Sequence, residues 1–385
     1  MELELELPAE LEFRIARTAR ELEQSFALLH DAYVDAGLAA PHPSGLRATV
    51  YHALPSTTTL IACWSGQVVG TLTVIRDGLF GIPMEKEFDV SELRMRDLRF
   101  CEVSSLAIER PFRKKGRLLF PMIKYLMRYT REYFGIDRQV LVTHPADADL
   151  YGAIAMARPF SDEVVDHYGF ANGAPAAAST IDLVGFPNDL RAAFGRAPPE
   201  RNYYRYIYET DHPHFKLPDR SFHTISDPVM TPALLDHFFN RRTDTFARLN
   251  AREKLAVRAC YPFAEYEAVL PAVGGPAALV GPAARRYEVS CPVTVSLAGG
   301  EDEPPARGLL RDVSVRALRM NLGVSMPERA RLHIRAEIGR GVAAEAIGVV
   351  AGSAPNRSHH LTVEESDAHW SRWIAHLEES VRLPS

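Results

Sequence analysis

The sequence predicts an α+β fold in two parts, a mixed α/β domain followed by a small all-β barrel. Along residues 11–143, stretches that alternate as strands and stretches with a helical period follow one another in the order β-α-β-β-β-α-β. Residues 271–284 are rich in glycine, alanine and proline, which is typical of a linker. Beyond position 285, the apolar residues fall in short strands before a final helix, a pattern typical of a small barrel or sandwich.

The composition is that of a globular protein and argues against some classes of function. The 385 residues are 46% hydrophobic and 24% charged, which suffices for two or three domains with buried cores. A net charge of −5 argues against general nucleic-acid binding. The four cysteines lie far apart, so we expect reduced thiols, no metal site and a cytoplasmic protein. No stretch is long and apolar enough to predict a transmembrane helix, and the acidic start does not resemble a secretory signal.

The first predicted elements are a strand over residues 11–16 and a helix over residues 18–37. A hairpin follows, with strands at 58–64 and 68–75. Thr18 and Glu21 have the spacing of a capping box at the start of the helix, and Gly37 is placed to end it. Ser65-Gly66 supplies the turn of the hairpin. These elements lead through a polar stretch to the central part of the chain.

Residues 100–134 form the centre of the prediction: a strand at 101–108, a basic glycine loop, and a helix that begins near Leu118. Because the first N–H groups of a helix have no intrahelical partner, a strand that feeds a glycine loop into a helix can bind an anion. Eleven basic and three acidic residues lie between Arg94 and Arg131, a local net charge of +8. The pattern favours an anion-binding patch, with a solvated helix face as the alternative.

The loop Arg113-Lys114-Lys115-Gly116-Arg117-Leu118 resembles the R-x-x-G-x-G/A loop of GNAT acyltransferases, which holds the phosphates of a pantetheine thioester. Leu118 stands where that family has a small residue. The segment 102–108, EVSSLAI, is similar to acyl-homoserine-lactone synthases and N-acyl amino acid synthases. The resemblance implies transfer of a long fatty acyl chain from acyl carrier protein to the amine of an amino acid. It implies no permanently bound cofactor, with the acyl-phosphopantetheine thioester as the donor.

The predicted site follows from this reaction. Glu102 is the candidate base for the amine, and Tyr151 matches the tyrosine that protonates the leaving thiolate. Tyr151 and Tyr168 are equally well explained as core aromatic residues. A splayed or bulged strand would supply backbone N–H donors for the oxyanion near Ser104–Leu106. Candidates for the apolar slot are Leu72, Leu106, Ile108 and Met122. The residues expected to contact the thioester and its phosphopantetheine are Ser104, Leu106, Ile108, Arg113, Lys114, Lys115, Gly116 and Arg117.

The remainder of the first part is predicted less regularly. Residues 178–185 form a strand, residues 186–230 extended structure and loops, and Thr231 and Thr243 begin two helices. We therefore divide the chain into an acyltransferase-like domain (1–230), a helical connector (231–270), a linker (271–284) and a barrel domain (285–385).

The barrel domain has predicted strands at 287–297, 306–310, 317–321, 331–337 and 346–351. It resembles a PilZ domain, a six-stranded barrel that binds cyclic di-GMP through R-x-x-x-R and D-x-S-x-x-G motifs. Arg285, Arg286, Asp312 and Ser314 match these motifs, whereas Val289, Ser290 and Ala317 replace the last arginine and the glycine. The resemblance implies a cyclic di-GMP site, and the alternative is a barrel used for docking or dimerisation.

Two hypotheses for the whole chain follow. The first is an N-acyltransferase regulated by cyclic di-GMP. The second is an inactive acyltransferase-like scaffold that responds to the nucleotide or docks partners, motivated by Leu118 and by Ser105, where homoserine-lactone synthases usually have arginine.

Overall fold

The structure is a computed structural model. It describes residues 7–96, 98–113, 116–218, 225–227, 229–261, 263–273, 286–299, 305–339, 341–353 and 357–381. The buried apolar residues form two cores, one built from residues 11–270 and the other from residues 287–377. Most of the predicted linker, residues 274–284, lies outside the described residues.

A seven-stranded sheet in the order β1-β2-β3-β4-β5-β7-β6 organises the first core. Neighbouring strands are antiparallel except β4 and β5, which are parallel. The strands are β1 (Leu11–Ile15), β2 (Thr57–Trp64), β3 (Gln67–Arg76), β4 (Phe100–Ile108), β5 (Arg138–Thr143), β6 (Arg158–Tyr168) and β7 (Ala174–Asp182). The helices between them are α1 (Ala19–Asp35), α2 (Ser91–Met95), α3 (Leu119–Arg128), which continues as a π-helix over Tyr129–Tyr133, and α4 (Ala148–Ala155).

Local sequence signals set the bounds of the early elements. The predicted capping box is confirmed, because the Thr18 side chain accepts from the Glu21 N–H and the Glu21 carboxylate accepts from the Thr18 N–H. Ser65 and Gly66 both have positive φ, 47° and 80°, as a two-residue type I′ hairpin turn requires.

Two features of the first part contradict the sequence prediction. β6 was not predicted, because it is a mostly exposed edge strand with few apolar residues to alternate. Residues 186–230 were predicted as loops, yet they contain α5 (Phe186–Phe194) and α6 (Tyr203–Tyr208). These two helices are too short for a clear helical period, and α6 is fixed by the Asn202 side chain, which caps it.

The segment after Thr231 packs on the first core. It contains α7 (Pro232–Leu235), a π-helix over Asp236–Arg242 and α8 (Ala251–Cys260). The rings of Phe26 and Phe238 meet edge to face at 5.2 Å, and the Thr245 hydroxyl donates to the Ala48 carbonyl at 2.8 Å. The predicted second helix begins at Ala251 rather than at Thr243.

The second core lies in a closed antiparallel barrel with the strand order β10-β13-β12-β11-β8-β9. Its strands are β8 (Tyr287–Leu297), β9 (Ala306–Val313), β10 (Ala317–Leu322), β11 (Arg331–Gly339), β12 (Val342–Ser353) and β13 (Ser358–Ser366). Alternate residues of β8 are buried, as expected for a strand with one face toward the interior. The final helix, α9 (Ala368–Val381), adds the fully buried Trp370 and Trp373 to this core. The six-stranded barrel that the resemblance implies is confirmed, although β13 was not predicted.

Within the described residues, no helix has the length and hydropathy needed to cross a membrane.

Candidate functional site

A β-bulge interrupts the central strand β4. Thr71 of β3 pairs with Ala107 and Thr73 pairs with Ser104, so Ser105 and Leu106 together face Leu72 alone. Ser105 has a φ of 55°, an uncommon conformation for a residue other than glycine. The bulge predicted near Ser104–Leu106 is therefore present.

β4 and β5 separate directly after Glu102. Among the described residues the two strands pair only over Phe100–Glu102 and Arg138–Val140, while β4 continues to Ile108 and β5 to Thr143. The N–H groups of β4 that face β5 beyond Glu102 therefore lack a strand partner. Backbone donors in this position can bind an amide, a carbonyl or an oxyanion.

The separated strands enclose a cavity of about 210 Å³ with mostly apolar walls. Four predicted site residues, Glu102, Ser104, Leu106 and Tyr151, line it together with Leu72. Other lining residues are Tyr33, Leu119, Ile123, Leu126, Leu141, Thr143, His144, Tyr168 and Phe170. Ile108 and Met122, both proposed for the apolar slot, are not part of the lining. Met122 is buried instead beneath the hairpin strands, where its sulfur fills the space beside Gly70.

Glu102 lies at the inner end of this cavity and is 1% exposed. Its Oε2 accepts a hydrogen bond from the Met84 N–H at 2.7 Å. Burial raises the pKa of Glu102 to about 8, the hydrogen bond from Met84 opposes the rise, and the nearby Glu85 adds to it. A carboxyl that loses its proton near pH 8 is suited to accept a proton from an amine.

Tyr151 of α4 also lines the cavity, as do His144 and Asp147. Burial raises the pKa of Tyr151 to about 12, so its hydroxyl keeps the proton at neutral pH. A protonated phenol at this position can donate to a leaving thiolate. The cavity thus brings a candidate base and a candidate acid, 49 positions apart in the sequence, to one site.

Sequence analysis assigned no role to Tyr33, which lines the cavity, or to Arg47, which lies next to it. Tyr168, whose role was left open, is 3% exposed, and its hydroxyl has no hydrogen-bond partner. Burial raises the pKa of both tyrosines, and each lies close enough to Glu102 to interact with it electrostatically. A tyrosine on an apolar helix face is usually a packing residue, so the sequence offered no signal for Tyr33.

The predicted phosphate loop lies at the N-terminus of α3, outside the cavity lining. Gly116 has a φ of 68°, and a Cβ there would lie 2.5 Å from the Phe120 ring, so this position requires glycine. Arg113 and Arg117 are exposed, and the Arg113 Nε donates to the Ile108 carbonyl at 2.7 Å. Lys114 and Lys115 lie outside the described residues.

The +8 segment is not a continuous cationic surface. Arg94 pairs with Asp77 at 2.6 Å and with Glu85 at 2.7 Å, and Lys124 is buried against two backbone carbonyls. Ion pairs also engage Arg96, Arg99, Arg110, Arg128 and Arg131. Acids from other segments thus offset part of the local charge, and the anion-binding patch at the glycine loop, where the exposed Arg113 and Arg117 lie, stays a prediction.

A second candidate site lies on the barrel. The Asp312 carboxylate binds two arginines, Arg286, which was predicted, and Arg319 of β10, which was missed. The distance from the Arg319 Nε to the Asp312 Oδ2 is 2.6 Å. Ser314 is buried and accepts from the Ala317 N–H at 3.0 Å, so its hydroxyl shapes the turn between β9 and β10. Arg285 lies outside the described residues.

The barrel contacts the first domain next to this site. The Glu288 carboxylate lies against Gly78 and the Leu79 N–H, in the loop that follows β3. Burial, with Asp77 nearby, raises the pKa of Glu288 to about 8, although Arg319 opposes the rise. The same loop continues to Met84, whose N–H binds Glu102. The described residues contain no group of three or more His, Cys, Asp or Glu side chains that could hold a metal ion.

Comparison with known proteins bears on the first domain. Residues 24–182 match the sequence model of a family described as N-acyl amino acid synthase FeeM. The N-terminal domain is an acyltransferase. The matched range includes the bulge, Glu102, Tyr33, Tyr151 and Tyr168, and it spans less than half of the chain. It confirms the predicted resemblance to N-acyl amino acid synthases.

Solved structures resemble both parts of the chain. The FeeM N-acyl amino acid synthase from uncultured soil microbes is 22% identical, with a TM-score of 0.39, and the match covers 46% of this chain and 93% of that one. A CoA-dependent acyl-homoserine lactone synthase, BjaI, is 18% identical, with a TM-score of 0.34. The match covers 51% of this chain and 98% of that one. The PilZ domain of CeSA from a cellulose-synthesizing bacterium is 16% identical, with a TM-score of 0.20. The match covers 24% of this chain and 93% of that one. No curated protein sequence matches the chain.

Proposed function

We propose that the acyltransferase domain transfers a long fatty acyl chain from acyl carrier protein to the amine of an amino acid. The observation that carries this proposal is the buried Glu102 at the inner end of an apolar cavity, where β4 is bulged and separated from β5. The cavity supplies an apolar slot for a fatty chain. Its polar groups are a base, an acid and unpaired backbone donors, as an acyl transfer from a thioester to an amine requires.

The reaction assigns one role to each group. Glu102 removes a proton from the acceptor ammonium, and the free amine attacks the thioester carbonyl carbon to form a C–N bond. The N–H groups near Ser104–Leu106 stabilise the oxyanion of the tetrahedral intermediate. When the C–S bond breaks, Tyr151 donates its proton to the thiolate and the attached nitrogen loses its second proton to solvent, so that a neutral amide and a free thiol leave. Glu102 and Tyr151 then exchange protons with solvent.

Acyl carrier protein is the proposed donor because two exposed arginines lie at the predicted phosphate loop. Arg113 and Arg117 suit the acidic carrier and its single phosphodiester, and Leu118, which is buried, occupies the place of the small residue that would let a pyrophosphate approach. Docking of this kind is electrostatic and should weaken as salt rises.

The function is tested by incubating the protein with acyl carrier protein loaded with C12–C16 chains and a mixture of amino acids. Mass spectrometry should detect N-acyl amino acids, and the same chains on coenzyme A should react more slowly. Absence of product with every acceptor and both donors would contradict the proposal and favour a scaffold. Equal rates with both donors would reject the carrier specificity alone.

We further propose that cyclic di-GMP binds the barrel at Arg285, Arg286, Asp312 and Ser314 and changes access to the acyl site. The support is that Asp312 holds Arg286 and Arg319 side by side, and two guanidinium planes can pair with phosphates and stack on guanine. The Glu288 contact with Leu79 offers a physical connection, since that loop reaches Met84 and Glu102. Regulation requires the nucleotide to bind two conformations unequally.

Calorimetry with cyclic di-GMP on the wild type and on Arg286→Ala tests this second proposal. Binding should be lost or weakened at least about tenfold in the variant, since hydrogen bonds to charged groups contribute about 1.5–3 kcal/mol. No heat at high micromolar nucleotide would reject the site and leave docking as the role of the barrel. Binding without a change in the rate of acyl transfer would reject only the regulation.

A further inference from the structure

Arg47 is a partly buried arginine next to the acyl-transfer cavity, in the loop between α1 and β2. Its guanidinium lies over the Tyr33 ring at 4.5 Å and over the Phe170 ring at 5.3 Å. One Nη atom donates to the Phe170 carbonyl at 2.7 Å. The Nε atom is fully buried, and no atom of the described residues forms a hydrogen bond with it.

No carboxylate of the described residues pairs with this cation. Among the described residues, the ionisable groups that interact with Arg47 are the hydroxyls of Tyr33 and Tyr168 and the His52 imidazole, and burial lowers the pKa of the guanidinium. A desolvated charge without a counterion is costly, and buried arginines are normally paired. An anion that enters the site would pair with this group, for which arginine's planar fork is suited.

The position of Arg47 relates it to the reacting groups. Its neighbours line the cavity, namely Tyr33, Tyr168 and Phe170. Tyr33 and Tyr168 interact electrostatically with Glu102 as well as with Arg47, so the base and the guanidinium share these two neighbours. An anionic group held at Arg47 would therefore belong to the molecule whose amine is deprotonated by Glu102, at the acceptor end of the cavity.

We propose that Arg47 binds the carboxylate of the acceptor and so restricts the enzyme to amines that carry a neighbouring carboxylate, that is, to amino acids with a free α-carboxyl group. This inference rests on the proposed function. The two charges of an amino acid match the two groups, because its ammonium is directed to Glu102 and its carboxylate to Arg47. An amine or an amino acid amide of the same size would leave the guanidinium unpaired.

The experiment compares an amino acid with its amide as acceptors, using the same acyl donor, in the wild type, Arg47→Gln and Arg47→Lys. We expect the wild type to prefer the acid at least about tenfold in kcat/KM, since a charged pair contributes more than a neutral one. Arg47→Gln should lose about tenfold or more on the acid and little on the amide. Arg47→Lys should be intermediate, because it keeps the charge without the fork.

Arg191→Gln is the matched control, since Arg191 also stacks on a tyrosine, Tyr204, at 4.6 Å but lies on α5, away from the cavity. Calorimetry with N-dodecanoyl-leucine and its amide adds a readout that needs no turnover. Tighter binding of the acid in the wild type and in the control, but not in Arg47→Gln, supports the inference even if no acyl transfer is found. Equal kcat/KM and equal affinity for the acid and the amide in the wild type would overturn the inference. An equal loss of kcat/KM on both acceptors in Arg47→Gln would also overturn it, because it would indicate a packing role for Arg47.

Discussion

Replacement of Glu102 by glutamine should abolish acyl transfer and at the same time stabilise the folded protein at alkaline pH. The side chain is 1% exposed, and its pKa rises from an ordinary value of 4.5 to about 8. In the unfolded chain this carboxyl is ionised above pH 4.5, whereas the folded protein keeps the proton until about pH 8. Between these values the unfolded state binds fewer protons, so the free energy of unfolding falls as pH rises.

The magnitude follows from the two pKa values. At 1.36 kcal/mol for each tenfold change, the whole loss is about 5 kcal/mol, of which about 3 kcal/mol falls between pH 5 and pH 8. Glutamine cannot ionise, and its carbonyl can still accept from the Met84 N–H. The difference in unfolding free energy between Glu102→Gln and the wild type should therefore grow by about 3 kcal/mol over this pH range, in favour of the variant.

Urea denaturation at pH 5 and pH 8, followed by circular dichroism, measures this difference. The isosteric Glu92→Gln substitution is the control, because Glu92 is exposed on α2, and it should leave the pH dependence unchanged. In the acyl-transfer assay, kcat of the wild type should rise about tenfold per pH unit below pH 8 and then level off. A fully active Glu102→Gln variant would refute the role of Glu102 as base. If the unfolding free energies of variant and wild type depended on pH in the same way, the claim that Glu102 stays protonated in the folded protein would be refuted.

Two further predictions concern the acid and the barrel. Tyr151→Phe should fold normally and lose about 10²-fold or more in kcat, because general acid catalysis contributes at least that much; an unchanged rate would exclude Tyr151 as the acid. Gly308→Ala should lower the stability of the barrel by about 1–3 kcal/mol in thermal unfolding, because a Cβ there would lie 1.9 Å from the Asn321 carbonyl oxygen. Gly352→Ala, with open space in the same barrel, is its control, and equal effects of the two would contradict the steric argument.

The charge pattern shows where sequence reasoning was misleading. The segment 94–131 carries a net charge of +8, but Arg94 is neutralised by Asp77 and Glu85, and Arg99 and Arg131 share Asp137. Partners such as these come from other parts of the chain, and a local count of charges cannot include them. What remains for a carrier is the loop around Gly116, a smaller surface than the sequence indicated.

The sequence by itself determined the features that depend on neighbours along the chain. The period of apolar residues placed β4, α3 and five of the six barrel strands, and the Thr18–Glu21 spacing fixed the start of α1. The motif around Glu102 indicated an acyltransferase. Hydrogen-bond geometry within a turn and the alternation of a strand are local, so a single sequence contains them.

The tertiary structure decided everything that depends on residues far apart in the chain. Glu102 acquires its raised pKa from burial by several segments, and Arg47 lacks a counterion only because the fold carries it next to Tyr33 and Phe170 and away from every described carboxylate. Desolvation and Coulomb interactions act through space, and neither is encoded in the order of neighbouring residues. For that reason the candidate base could be named from the sequence, whereas the residue proposed to select the acceptor could be recognised only in the folded chain.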